Sequence, residues 1–289
     1  MNTSIRSTIQ LLRFHFSLFL TPVYFFALSE IHEINPANAI TIFIILHLLV
    51  YPASNGYNSY MDRDTSPIGG IKKPLQPTKQ LFLVTICMDI IAISLSLFIS
   101  YFFTAGILLY ILASRTYSYR KIRLKKYPVT GYLTVIIFQG AEIFFLVFTG
   151  ANSNHHAAVP VIAMIAATLL IGGFYPLTQI YQHEEDLKDG VITISYKLGY
   201  KGTFIFTGII YALAFGALVL HFIPKHRAIR FLILFIFLLP VLVYFFVWFG
   251  KVVKDKNAAN FKNTMRMNML ASVCTNLGFI TILILNQLE

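Results

Sequence analysis

Only 12% of the 289 residues are charged, about half the share of a soluble domain. Acids are the scarcest, with 12 Asp and Glu against 23 Lys and Arg. With 57% hydrophobic residues and a mean hydropathy of +0.70, a soluble globule is excluded. Cysteine is nearly absent. Cys87 and Cys274 lie far apart in apolar stretches with no CxxC partner, so they imply neither a disulfide framework nor a thiolate metal site and read as buried thiols. The N-terminal region also lacks the pattern of a cleaved signal peptide. Its apolar stretch carries Arg13 and His15 and runs on through Pro22 without a small-residue cleavage site, which reads as a retained helix.

Apolar runs are what the sequence has in abundance. A hydrocarbon core of about 30 Å needs roughly 20 apolar residues per helical crossing, and about nine such stretches follow one another. They are Ile9 to Leu28, Ala37 to Tyr57, Leu81 to Tyr101, Ala105 to Tyr119, Val129 to Thr149, Ala158 to Tyr181, Thr203 to Phe222, Phe231 to Phe249 and Met267 to Leu285. The third and fourth are divided only by a short hairpin, Tyr101 to Thr104. In lipid each stretch must be helical to satisfy its own backbone groups. The expected fold is therefore an all-α, polytopic membrane bundle, with residues 1–289 as a single domain.

A net charge of +11 would suit nucleic acid if it were clustered on one soluble face, but it is distributed over loops. With nine spans, Lys225, Arg227 and Arg230 fall on one side of the membrane and the remaining twenty cations on the other. The positive-inside rule places the N-terminus and the cation-rich loops in the cytoplasm, in a plasma (inner) membrane, with lipid and not nucleic acid as the surrounding partner.

Half of the rare acids occupy two segments at cytoplasmic helix ends: Asp62 and Asp64, then Glu184, Glu185, Asp186 and Asp189. Aligning them exposes an internal repeat. Tyr51-Pro52-x-Ser54-Asn55-x-Tyr57-Asn58-x-x-x-Asp62 matches Tyr175-Pro176-x-Thr178-Gln179-x-Tyr181-Gln182-x-x-x-Asp186 at a constant offset of 124 residues. Such a pseudo-repeat points to two related helical halves whose equivalent ends face each other. In each copy an amide stands four residues before a carboxylate, which on a helix puts both on one face. Magnesium prefers oxygen ligands and is commonly held by one or two carboxylates together with substrate phosphates. Asn58, Asp62, Asp64, Glu185, Asp186 and Asp189 are accordingly the candidate metal ligands. The simpler reading is a solvated charged loop, but solvation requires neither the repeat nor the amide-carboxylate spacing.

The first segment resembles the Asn-x-x-x-Asp-x-x-x-Asp signature of UbiA-type prenyltransferases, through Asn58 and Asp62. The second is similar to the family's Asp-x-x-x-Asp-x-x-x-Gly-x-x-Thr stretch, through Asp186, Gly190 and Thr193. Ser66 stands where the first motif ends in Asp, and Gln182 where the second begins with one; Asp64, Glu185 and Asp189 are possible substitutes. A third loop, Tyr117-Ser118 followed by Arg123-Leu124-Lys125 and Pro128, resembles the basic loop of aromatic-acceptor members. Lys73-Pro74 after Gly69-Gly70 is similar to the family's basic-Pro element.

The resemblance implies Mg2+-dependent transfer of an isoprenyl group from a prenyl diphosphate to a lipophilic, aromatic acceptor inside the membrane. Asp62 and Asp186 would organise the metal, and Arg123 and Lys125 would stabilise the departing diphosphate. Asn58, Gln182, Asn55, Lys73, Tyr117 and Tyr175 would contact substrate, with the tyrosine rings flanking an allylic cation. For Arg120, Lys121 and Lys126 an ordinary positive-inside loop is the better reading. A UbiA-type terpene cyclase is the alternative, and a transporter fits less well because the acids lie at the rim and not mid-span. Asp89 and Glu142 fall inside spans, where an ionisable group is costly; each either serves the site or pairs with another helix. Tyr51, Tyr57, Tyr117 and Tyr175 have an aromatic belt as their simplest account.

Overall fold

The computed structural model describes residues 3–224 and 227–288, and it is helical with no strand among the described residues. Lys225, counted among the loop cations above, lies outside the described residues. In chain order the helices are α1 (Thr3–Ser29), α2 (Pro36–Asp62), α3 (Lys79–Ser96), α4 (Tyr101–Ser118), α5 (Pro128–Ala151), α6 (Val161–Gln179), the short α7 (His183–Lys188), α8 (Ile194–Phe222), α9 (Ala228–Lys254) and α10 (Phe261–Leu288). Eight of these are long and apolar enough to cross a membrane, and the protein is an integral membrane protein.

The expected count of nine is not met by that measure. Helix α4 has 18 residues, like α3, but it ends in the polar run Arg115-Thr116-Tyr117-Ser118, in which Arg115, Tyr117 and Ser118 bond side chains of other helices and Thr116 bonds carbonyls of its own. The hairpin before it also differs from expectation, lying at Leu97 to Ser100. The Ser100 hydroxyl accepts the Phe103 N–H at 3.0 Å, so α4 starts at Tyr101, an N-cap arrangement worth about 1 kcal/mol. Asn35 caps α2 in the same way, accepting from the Asn38 N–H at 3.1 Å behind Pro36.

The helices close into a ring: α1 packs on α2, α2 on α3, α6 along α8, α9 along α10, and α10 returns to α1. Large apolar side chains such as Phe98, Phe102, Leu220 and Phe246 point outward, as they should where the surrounding solvent is lipid. Close approaches depend on small residues. A Cβ on Gly140 of α5 would stand 2.6 Å from the Thr168 Cα of α6, so any side chain there would force these two helices apart. Cys274 is buried, but Cys87 is exposed on the outer face of α3, contrary to the expected pair of buried thiols. Asp89 is buried and ion-paired with Arg115, whose guanidinium lies over the Tyr57 ring at 4.1 Å. This acid is a structural clamp between α3, α4 and α2.

The segments 63–78, 119–127 and 180–193 meet at one end of the ring. A single Cys placed at Lys121 or Lys188 is expected to react with a membrane-impermeant maleimide from one side, and a Cys at Ser153 only from the other. Labelling of all three from the same side overturns this arrangement.

Candidate active site

Helix α2 delivers the first motif. Asn58 and Asp62 lie on its last turns, and Arg63 stops the helix in the left-handed region at φ 56°. That turn redirects the chain so that Asp64 also faces inward. The C-terminal carbonyls of α2 are held by the basic loop: Arg120 Nε donates to the Met61 carbonyl at 2.6 Å and Nη2 to the Asp62 carbonyl at 3.1 Å. A cation at a helix C-terminus also complements the helix dipole. Arg120 is therefore a cap, and the Ser118 hydroxyl beside it donates to Asn58 Oδ1 at 2.9 Å.

The second motif is built differently from the first. Helix α6 ends at Gln179, and Gln182 precedes α7 with φ −102° and ψ 0°. Gln182 and Asp186 thus do not share the face of one continuous helix, as Asn58 and Asp62 do. The Asp186 N–H still bonds the Gln182 carbonyl at 2.9 Å, while the Gln182 side-chain amide donates to the Pro67 carbonyl at 3.4 Å. The second amide is thereby tied to the first motif's loop. Gly190 ends α7 at φ 68°, a conformation few other residues adopt, and lets the Val191 N–H reach back to the Asp186 carbonyl at 2.8 Å. Thr193 caps α8 by accepting from the Tyr196 N–H at 3.2 Å.

The two motifs face each other across a cavity of about 210 Å³. Asn55, Asn58, Asp62, Asp64, Tyr117, Lys125, Tyr175, Gln182, Glu185, Asp186 and Asp189 all line it. Arg123 stands just behind, ion-paired with Asp189 and reaching Asp62 Oδ1 at 3.3 Å, and Lys125 ion-pairs with the other Asp62 oxygen. Tyr117 and Tyr175 share a hydrogen bond between their hydroxyls, joining α4 to α6, and Gln179 donates to Tyr175 at 2.8 Å. Lys73 is the sequence-selected residue that stays away. It is exposed and does not line the cavity, and its carbonyl accepts from Gln10. Tyr51 and Tyr57 also lie off the cavity wall, Tyr51 in the core and Tyr57 beneath Arg115.

The electrostatics are those of a site short of positive charge. Burial, then the neighbouring Asp62, pushes Asp64 up to about 6 against the opposing pull of Lys125 and Arg13. Burial raises Asp186 to about 7, Lys125 resisting and Asp62 and Asp64 adding to the rise. Burial also works against charge on Asp189 and Arg123, but their ion pair outweighs it, holding Asp189 below and Arg123 above their ordinary values.

The chain matches the model of the UbiA prenyltransferase family over residues 18–270. It belongs to that family. Its fold is similar to that of a UbiA homolog from Archaeoglobus fulgidus bound to GPP and Mg2+, with 18% identity, a TM-score of 0.68 and coverage of 96% of this chain and 99% of that one. A UbiA homolog from Aeropyrum pernix K1 gives 17% identity and a TM-score of 0.69 over 92% and 97%. A digeranylgeranylglyceryl phosphate synthase gives 18% and 0.64 over the full length of both. No curated protein matches the chain in sequence.

In this UbiA-family chain the residues fit a divalent cation that brings its own phosphate ligands. Among the described residues no three His, Cys, Asp or Glu are preassembled as a metal cage, yet five carboxylates line one cavity, and two of them, Asp64 and Asp186, are raised above their ordinary values by burial first and by neighbouring carboxylates second. Magnesium held by one or two carboxylates plus substrate phosphates suits that donor set.

Arg13, which no motif marks in the sequence, also belongs to the site. Its backbone is left-handed at φ 49°, and its guanidinium lines the cavity at 7% exposure, donating to the Asn55 carbonyl at 3.3 Å with Nε unpartnered. All three non-glycine residues with positive φ among the described residues, Arg13, Arg63 and Arg123, border this site, in keeping with the gathering of backbone strain at functional sites.

Proposed function

We propose that this protein transfers the isoprenyl group of a prenyl diphosphate, held with Mg2+ between the two acidic motifs, to a lipophilic aromatic acceptor within the membrane. The observation that carries this reading is the meeting of both acidic motifs, the basic loop and Arg13 on one cavity whose wall is elsewhere apolar and aromatic, including Phe16, Val135 and Phe138. Asp62, Asp64 and Asp186 would hold the metal, with Asn58, Glu185 and Asp189 adjacent; bound there, Mg2+ supplies a positive charge that stabilises the departing diphosphate. Arg13, Lys125 and Arg123 bind diphosphate oxygens through charge-assisted hydrogen bonds. The donor C–O bond breaks with its electron pair leaving on diphosphate. The Tyr117 and Tyr175 rings offer their faces to the allylic cation, and the apolar walls keep water from quenching it. An acceptor carbon then supplies the electrons of the new bond and gives up its proton to the departed diphosphate.

The test is mass spectrometry of products formed by purified protein from a panel of prenyl diphosphates with lipid-soluble phenols and naphthoates. A prenylated aromatic that forms with Mg2+ and disappears in excess EDTA is the expected product. A hydrocarbon or terpene alcohol from donor alone would assign a cyclase instead.

A further inference from the structure

Helix α7 carries Glu185 and Asp186, with Asp189 at its C-terminal end, yet it has little of its own to hold it in place. It is six residues long, far shorter than a helix that persists unaided. The chain leaves helical geometry on both sides of it, at Gln182 with φ −102° and ψ 0° and at Gly190 with φ 68°. With breaks at both ends, the direction of the Asp186 carboxylate depends on side-chain ties to the bundle. From His183 to Asp189 there are two such ties among the described residues. On one side Asp189 pairs with Arg123 and Arg120. Arg123 is assigned above to the diphosphate, so that tie is exchangeable.

The other tie is permanent. The one buried residue of α7 is His183, with 5% exposure. Its Nε2 lies 2.8 Å from the Ser195 hydroxyl of α8, and its ring stacks on Tyr200 with centroids 4.8 Å apart and meets the Tyr196 ring edge-on at 5.6 Å. Ser195 is fully buried, and its hydroxyl lies 3.1 Å from that of Thr203, which donates to the Gly199 carbonyl at 2.8 Å. With the threonine proton spent on that carbonyl, every bond in the row is made when the Ser195 hydroxyl donates to Thr203 and accepts from the His183 Nε2–H. The network thus assigns the imidazole proton to Nε2 and fastens α7 to the start of α8.

Resting on the function proposed above, we propose that His183 is a positioning residue for the second acidic motif: its hydrogen bond to Ser195 and its stack on Tyr200 set the orientation of α7 and so aim Asp186 at the cavity it shares with Asp62 and Asp64. His183 itself does not line that cavity, whereas Glu185 and Asp186 do. In the first motif the same task falls to α2, a continuous helix through Asn58 and Asp62 whose end Arg120 holds. The second motif is cut off from α6 by the break after Gln179 and is anchored sideways instead.

The test uses full-length protein in lipid nanodiscs. Hydrogen exchange without metal or substrate reads the seating of α7 independently of any reaction. In His183→Ala the amides of residues 184–190 should exchange at least about tenfold faster, while those of α2 and α6 keep wild-type rates. Calorimetric binding of inorganic diphosphate with Mg2+ should weaken about tenfold in His183→Ala and about threefold in Ser195→Ala and His183→Phe, which lose the hydrogen bond but keep the ring stack. His183→Gln, which can return a nitrogen donor, should recover part of the loss seen in His183→Ala. In turnover, the half-saturating Mg2+ concentration should rise by the same factors, with kcat at saturating Mg2+ within about threefold of wild type. A merely structural defect would lower kcat in a way that Mg2+ does not restore, and that result would overturn the assignment. Ser195→Ala removes a single buried oxygen and keeps the test decisive if His183→Ala does not fold. Wild-type exchange or wild-type diphosphate binding in Ser195→Ala would also overturn it. A wild-type protein that takes up no diphosphate with Mg2+ would refute the proposed function, and this assignment with it.

Discussion

Asp62→Asn and Asp186→Asn should each lower prenyl transfer by at least about a thousandfold, roughly 4 kcal/mol at the barrier, while the protein stays folded in detergent. Each change keeps the side chain's shape and removes one negative charge from a cavity where the two motifs meet. The effect therefore reports on metal and diphosphate organisation and not on packing. The same groups set a pH dependence. Asp186 titrates near 7 and Asp64 near 6, both raised above the unfolded carboxylate value of about 4. Between about 4 and 7 the metal-free folded state thus binds more protons than the unfolded state, and its stability falls as pH rises through that window. Magnesium must displace those protons, so the apparent Mg2+ requirement should climb as pH drops from 8 to 6. Asp186→Asn should remove the part of that rise centred near 7 and leave the part near 6. Retained activity in either variant, or a Mg2+ requirement flat between pH 6 and 8, would remove these acids from the metal site.

Why some of this was visible in the sequence and some was not follows from the range of the interactions. Membrane helices announce themselves locally, because each must be apolar over its own length. The acids at 62, 64, 185, 186 and 189 stand out because charge is so rare here. Arg13 carries no such signal: it is a single cation in an apolar stretch, and only the closure of the ring brings α1 against α2 and places its guanidinium beside Asn55. The break between α6 and α7 was hidden by the repeat itself, since matched residue types at Tyr175 to Asp186 implied the continuous helix of Tyr51 to Asp62. Lys73 shows the converse. Its neighbourhood resembles a family element, yet Gln10 accepts the Leu75 N–H at 2.8 Å and donates to the Lys73 carbonyl at 3.3 Å, pinning that strand of chain on the outside of α1.

Lys125→Ala should strongly weaken productive donor binding and, at the same time, tighten Mg2+ binding measured without donor. Lys125 and Arg123 occupy the oxygens of Asp62, and Arg123 also occupies Asp189, so these cations are internal counter-ions on atoms assigned to the metal. The pairs are well shielded, with side-chain exposures of 5% for Asp62 and 11% for Lys125, and their mutual attraction is correspondingly stronger than at a surface. Metal binding alone must break them and leave a buried ammonium unpaired, which is costly. In the proposed reaction Asp62 and Asp189 would hold the Mg2+ and Lys125 and Arg123 the diphosphate oxygens, so both sets would stay paired. Metal and donor are therefore expected to bind cooperatively, each making the other's partner available. Removing Lys125 frees Asp62 for the metal, and calorimetric Mg2+ affinity in the absence of donor should rise about tenfold. It also deletes a phosphate contact, and kcat/KM for the donor should fall by about a hundredfold or more, the worth of one buried charge-assisted bond. Arg123→Lys keeps the charge but loses the fork that spans Asp62 and Asp189 and the bond to the Asp189 carbonyl at 3.0 Å, so it should give an intermediate effect on both measures. Weaker Mg2+ binding in Lys125→Ala would show that the lysine serves to hold Asp62 in place, and the exchange of partners would be refuted.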